Sequence, residues 1–284
     1  MVPLTLAFIY VGTGTTFLAM KLVSHELSPV ALTVVRLLVA ALILAPITVW
    51  RLRTRGAWPT APQLRGAALT GVLLFAIGQV GIAVGVASMS AGVGAVITSA
   101  TPLFIAILST VFLREPLPAR QLLGVLLGFG GIAALTMTAP DGEIVLAGVA
   151  ALLVAAFAWA IGSLYGRSAA MPSDAVVTLN VQLLVGALVA SPLMALDGHG
   201  AAGLLQLSGT AWAGMAYLVA MAIAAFMAFN WLNLNVSSTI ANTFNYVTPV
   251  IAMGLGAAFL GETVTAAKLA SAAVALVGVV LILK

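Results

Sequence analysis

Charge is the scarcest property of this 284-residue chain. Lys and Arg together number 11, Asp and Glu 7, and charged residues make up 6% of the whole. A soluble domain typically carries about 25%, so this sequence has too few charges to cover a globular surface facing water. Cysteine is absent, which excludes a disulfide framework and thiolate chemistry. The two histidines, His25 and His199, fall at the ends of apolar runs and form no metal-ligand spacing. There is no Gly-Lys-Ser/Thr phosphate loop, and hence no ATP hydrolysis in this chain. No Asp or Glu lies in the middle of an apolar run, so the usual carrier for proton coupling is missing. Neither histidine has the Ser and Asp company of a hydrolase. The residues point to no enzyme, no cofactor and no metal.

What is present is apolar: 63% hydrophobic residues, with a mean hydropathy of +1.21. The apolar runs extend over roughly 20 residues, the length of a membrane-spanning helix, not the 9–11 alternating residues of a barrel strand. An all-α, polytopic membrane protein is predicted. Ten spans fit, at about 4–22, 29–50, 64–88, 91–113, 118–138, 144–166, 174–196, 210–233, 238–260 and 264–283. They are separated at Ser28-Pro29, the Arg51 to Pro62 loop, Glu115 to Pro118, Ala139 to Gly142 and Asp197 to Gly200. The N-terminus enters an apolar run with no basic segment and no small-residue cleavage site, so no removable signal peptide is expected. A pI near 9.9 reflects loop arginines, and nucleic acid is not an expected partner.

One stretch occurs twice. Thr101-Pro102 leads to Phe112-Leu113-Arg114-Glu115, and Thr248-Pro249 leads to Phe259-Leu260-Gly261-Glu262. The shift that places Pro102 on Pro249 also places Leu122 on Leu269 and Gly131 on Gly278 without a gap. Two halves with Pro-interrupted apolar segments in matching positions are the pattern of a secondary transporter. The expected division is 1–140 and 141–284. Five spans per half is odd, so the second half enters the membrane from the opposite side and the repeat is inverted. Arg51, Arg53, Arg55, Arg65, Arg114, Arg120, Arg167 and Lys284 gather on one side. The positive-inside rule then puts both termini in the cytoplasm.

Arg36 is the one charged residue well inside a span, and such an arginine faces the bundle interior or a wet cavity by default. Snorkelling to an interface is the competing reading. Asn242, Asn245 and Pro249 share a face of span 9, matching Ala95, Thr98 and Pro102 of span 4. A polar seam beside a broken helix in each half suits a midplane site, with Pro102 and Pro249 as hinges, while hydrogen bonding between helices is the alternative. Gln79, with Phe75 one turn earlier, is either lining or helix–helix glue. Trp159 and Ser163 share a face of span 6, and Tyr10, Thr13 and Thr16 form a polar stripe on span 1. Glycine stripes at 78, 81 and 85 and at 124, 128 and 131 are expected to let helices approach closely. Glu115 and Glu262 are expected to cap the following helix or to pair with Arg120 and Lys268. The candidate cavity lining is therefore Tyr10, Thr16, Arg36, Phe75, Gln79, Thr98, Trp159, Ser163, Asn242 and Asn245.

Two five-helix halves, Pro29 and Arg36 in span 2, Pro102 with Glu115 and Pro249 with Glu262 resemble the EamA-type branch of the drug/metabolite transporter superfamily, over essentially the whole chain. Within it the chain looks most like the bacterial YddG-type exporters of aromatic and other amino acids. Tyr10-Val11-Gly12 stands where the family commonly has Trp-Gly. The resemblance implies ten helices, a central cavity between the halves and alternating access. The expectation is a monomeric inner-membrane transporter exporting small organic metabolites, amino acids foremost. Its rivals are a proton-coupled multidrug or quaternary-cation antiporter, which wants a midspan Glu, and a sugar-phosphate or nucleotide-type carrier, which wants several cavity cations. A non-transporting membrane scaffold or an intramembrane enzyme is the rival from another class.

Overall fold

A computed structural model describes residues 1–56, 58–113, 118–137, 145–196, 201–236 and 243–283. They form ten helical rods. These are α1 (Val2–Ser24), α2 (Pro29–Arg55), α3 (Ala61–Ala87), α4 (Ala91–Thr98 and Thr101–Leu113), α5 (Ala119–Met137), α6 (Leu146–Ser168), α7 (Ala175–Leu196), α8 (Gly209–Asn235), α9 (Phe244–Leu260) and α10 (Ala266–Leu283). A short 3₁₀ turn, Ala201–Gln206, precedes α8. Eight of the rods are long and apolar enough to cross a membrane, and the described parts of α9 and α10 are shorter apolar helices. The expected start of span 9, at 238, and the division at 140 lie outside the described residues, as do Asn242 and Glu115.

Local chemistry sets the boundaries. Ser28 caps α2, its hydroxyl accepting the Ala31 N–H at 3.2 Å, and Pro29 follows at the first helical position, where no N–H is needed. Ser90 and Ser208 cap α4 and α8 in the same way. Pro102 has no N–H for the Thr98 carbonyl, and α4 opens at Ser99-Ala100. The Thr101 hydroxyl takes over, donating to the Thr98 carbonyl at 2.9 Å. In α9 the helix continues through Pro249. The repeated proline thus breaks one helix and is accommodated by the other. In α3 the middle stretch, Val72–Gln79, widens into a π-helix that ends on Gln79.

The helix pairings map onto themselves when each helix is exchanged with the one five places along the chain. α5 lies along α10 and α2 along α7; α1 contacts α8 and α9, as α6 contacts α3 and α4. The architecture is that of two inverted five-helix repeats. The glycine stripes carry the closest contacts. A Cβ on Gly278 would stand 2.3 Å from the Gly128 nitrogen and 2.5 Å from the Gly124 carbonyl oxygen, and one on Gly131 would stand 2.4 Å from the Ala275 nitrogen. Shifting Gly131 and Ala275 into the other half gives Gly278 and Gly128, so this contact is its own counterpart. Gly81 and Gly85 meet Ala151 and Leu152 of α6.

The two ends of the bundle are tied differently. At one end, Asp174 receives Arg51 at 3.1 Å and Arg55 at 2.5 Å and accepts the Val176 N–H at 2.8 Å. Burial pushes the Asp174 carboxyl up, but the Val176 N–H and the Arg51 guanidinium outweigh it and hold it below the ordinary carboxylate range. A depressed native pKa contributes stability that is present above the unfolded value, about 3.9, and is lost as pH falls through the native one. Asp174→Asn keeps the cap and removes the charge. The variant is expected to melt a degree or two lower than wild type at pH 7, because exposed pairs contribute about 0.2–1 kcal/mol. The gap should begin to close below about pH 4 and shrink further as the pH falls through the depressed native value. A melting difference in detergent that is flat from pH 7 to pH 3 would refute this.

At the other end, the Lys21 ammonium donates to the carbonyls of Val86, Ala87 and Met89 at 3.2, 3.3 and 2.8 Å. Glu262 accepts the Ala91 N–H at 2.7 Å. Gly261, at φ 64°, ends α9 in the left-handed region. The carboxylate therefore caps α4, in the opposite half, not the helix that follows it. Lys268 donates to the Thr263 carbonyl at 2.8 Å. Glu26 joins this end to α8 by accepting the N–H and hydroxyl of Ser208 at 2.7 and 2.6 Å.

Candidate functional site

A cavity lies between the halves, walled by α1, α2, α3, α4, α6, α8 and α9, and it encloses about 950 Å³ free of protein atoms, counting its mouth. The walls are mostly apolar. Ile9, Phe17 and Met20 come from α1, Ile82 from α3, and Met221, Phe226 and Phe229 from α8.

The aromatic side is a connected cluster. Trp159 lies 5.9 Å from Phe226 and 6.0 Å from Phe229, centroid to centroid, and Phe229 meets Phe244 edge-on at 5.9 Å. Edge and tilted contacts at these distances are favourable beyond the area they bury, by about 0.5–1.5 kcal/mol each. Phe75 stands behind this wall, 1% exposed and edge-on to Phe226 at 4.6 Å. The indole N–H of Trp159 is buried and has no hydrogen-bond partner among the described residues.

Polar groups are few and separately placed. Arg36 is 2% exposed and lines the cavity, one terminal nitrogen donating to the Gln79 side-chain oxygen at 2.6 Å. Its Nε is buried without a partner. The π-helix places Gln79 for this bond, and such irregular turns recur at functional sites. Thr16 and Thr98 donate to carbonyls of their own helices, Gly12 at 2.7 Å and Ala95 at 2.9 Å, and leave oxygen lone pairs on the cavity side. Thr13 and Thr248 share a hydroxyl bond of 2.7 Å that joins α1 to α9 across the halves. Asn245, one turn before Thr248, is 7% exposed and also lines the cavity.

The structure therefore brings Thr16, Arg36, Gln79, Thr98, Trp159 and Asn245 onto one cavity wall system. Three further sequence candidates sit off it. Phe75 is a layer deeper. The Tyr10 hydroxyl is engaged with Thr243 at 2.6 Å, which ties α1 to the start of α9. Ser163 lies a turn beyond Trp159 with a buried, unpartnered hydroxyl. Pro102 is buried beside the α4 break, and Pro249 faces an apolar groove between α9 and α10. Sequence reasoning missed Thr13, Thr248, Phe226, Phe229 and Phe244 as lining. The threonines carried a signal, since Thr13 lies in the α1 polar stripe and Thr248 is in the repeated Thr-Pro. The phenylalanines carried none, because a cavity-facing Phe reads like a lipid-facing one.

A bundle of apolar helices in two inverted sets, arranged around a cavity with a buried arginine on its wall, is the form of a multi-pass membrane transporter. The EamA-like transporter family model matches residues 3–137 and 146–284, and the chain belongs to that family, within the drug/metabolite transporter superfamily. It is 28% identical to the "Uncharacterized inner membrane transporter YedA" of Escherichia coli K12, over 96% of this chain and 88% of that one. It is 23% identical to an "Uncharacterized transporter" of Archaeoglobus fulgidus, over 95% and 94%. A Salmonella typhimurium relative named "Probable amino-acid metabolite efflux pump" is 26% identical over 67% of this chain and 66% of its own. A solved crystal structure, 14% identical, superposes with a TM-score of 0.63 over 97% of this chain and 95% of that chain, which establishes a shared fold.

Proposed function

We propose that the chain exports small organic metabolites, amino acids with apolar or aromatic side chains foremost, across a bacterial inner membrane by alternating access. The observation that carries this reading is the cavity itself. An aromatic wall suits an apolar side chain, while Arg36, Gln79, Thr98 and Asn245 supply the few polar contacts that orient a solute. The name of the Salmonella relative supports the same solute class. The halves 1–140 and 141–284 rock on each other, bending at the α4 break beside Pro102 and at Pro249 in α9. The Arg51–Arg55 end faces the cytoplasm with both termini, and the monomer is the working unit.

Among the described residues no Asp or Glu lines the cavity, which weighs against a proton-coupled multidrug antiporter. Arg36 is the one lining cation among the described residues, which weighs against a carrier of phosphorylated solutes. Facilitated diffusion is the mode of transport proposed. In proteoliposomes, labelled phenylalanine or tryptophan should move down its gradient at a rate unchanged by an imposed pH gradient. Quaternary-ammonium flux driven by the pH gradient would establish the antiporter instead. No flux of any solute would favour a scaffold.

A further inference from the structure

We infer that Arg36 and Gln79 form a carboxylate-binding subsite, so that the protein selects small monocarboxylates with an apolar or aromatic body and does not require an amino group. This deepens the transport reading and rests on it. Three observations converge. Arg36 is 2% exposed on a cavity wall, and among the described residues its polar partner is an amide, not a carboxylate. The described ion pairs lie elsewhere, between Asp174 and Arg51 or Arg55. A cation at membrane depth is costly without a counter-charge, and its buried Nε has no hydrogen-bond partner among the described residues. The counter-charge is therefore left for the solute to bring.

The geometry of the group fixes the anion class. A guanidinium matches a planar carboxylate through paired N–H donors. One arginine beside one amide is too little for a phosphate dianion, which recruits several cations. Gln79 is committed through its oxygen to Arg36 at 2.6 Å, which fixes the guanidinium and leaves the amide NH₂ as a further donor. Trp159 lines the same cavity, and its buried indole N–H has no hydrogen-bond partner among the described residues. Donors are thus provided in excess. Among the described residues no lining side chain carries a negative charge, so a substrate ammonium meets only hydroxyl, amide and carbonyl dipoles and the faces of aromatic rings, none of them a full counter-charge. The site reads the acid end of the solute and tolerates variation at the amine.

The full chain purified in detergent tests this by thermal stabilisation and by quenching of tryptophan fluorescence, with phenylalanine, 3-phenylpropionate and phenethylamine as probes. The two acids are expected to bind and the amine at least tenfold more weakly. Arg36→Gln should remove the preference for the acids, Arg36→Lys should keep part of it, and Gln79→Leu should weaken acid binding on the order of tenfold. Retained monodispersity and amine affinity in the variants separate this from misfolding. Equal binding of acids and amine, acid binding intact in Arg36→Gln, or no acid binding to wild type would overturn the inference. Wild-type flux of phenethylamine would sink the subsite while leaving the transport reading in place. Acid binding without flux would do the reverse.

Discussion

A leucine at Gly278 is expected to leave little or no folded protein: less than a tenth of the wild-type monodisperse yield in detergent, with whatever remains unfolding well below wild type. The reason is the distance between α5 and α10. A Cβ at Gly278 would come within 2.6 Å of the Gly128 Cα, nitrogen and neighbouring Gly124 carbonyl oxygen, all of them backbone atoms that cannot rotate aside. Within a bilayer there is little hydrophobic gain from pressing one apolar helix on another, so close van der Waals contact between small residues has to supply the association. Leucine removes that close approach along the seam where the two halves meet. Overpacking in an interior typically costs 1–3 kcal/mol, and occasionally more; here the clash is with main chain on both sides. Gly130 is the control. It lies on the same helix as Gly128, and a Cβ added there would meet nothing within 4 Å, so Gly130→Leu should fold normally. Equal yields for the two variants would mean that the helices can part without consequence.

Removing the indole is the second large effect. Trp159→Ala should lower the uptake or efflux of an aromatic amino acid in proteoliposomes by tenfold or more, while expression and melting change modestly. Trp159 is a half-buried wall residue whose ring meets Phe226 and Phe229 and whose edge lies 3.4 Å from the Cβ position of Gly78. Deleting a large aromatic side chain from a binding surface costs about 2 kcal/mol, a factor near 30 in affinity. Trp159→Phe retains a ring but loses the unpartnered N–H, and is expected to fall between alanine and wild type. Asn245→Ala should reduce transport more mildly, because amides within membrane bundles contribute about 0.6 kcal/mol on average. Wild-type flux in both alanine variants would remove Trp159 and Asn245 from the solute path.

The parts of the site that could be read in advance were those where polarity is expensive. Arg36, Gln79 and Asn245 stand out against an apolar background because a membrane interior tolerates polar groups only with a reason. Their placement on the cavity follows the same rule. The parts that could not be read were set by packing. Phe75 and Phe226 are alike in the sequence, yet one is a buried support and the other a lining residue, a distinction made by how α3 and α8 pack and which of the two touching rings is left on the cavity side. Glu262 looked like the partner of a neighbour in the chain. Its carboxylate instead reaches Ala91, 171 residues away, because the left-handed Gly261 redirects the backbone at the end of α9.

The sequence by itself determined the number of helices and, to within a few residues, the extent of those described, because backbone polar groups in a bilayer must be satisfied within each span and only long apolar runs survive there. It also determined the twofold organisation, through Thr-Pro and Glu at matching intervals. Tertiary structure alone decided which faces turn inward. Lipid and protein interior are equally apolar, so no pattern of hydrophobicity separates them, and only the packing of α1 on α8 and α9, and of α6 on α3 and α4, encloses the space around Arg36.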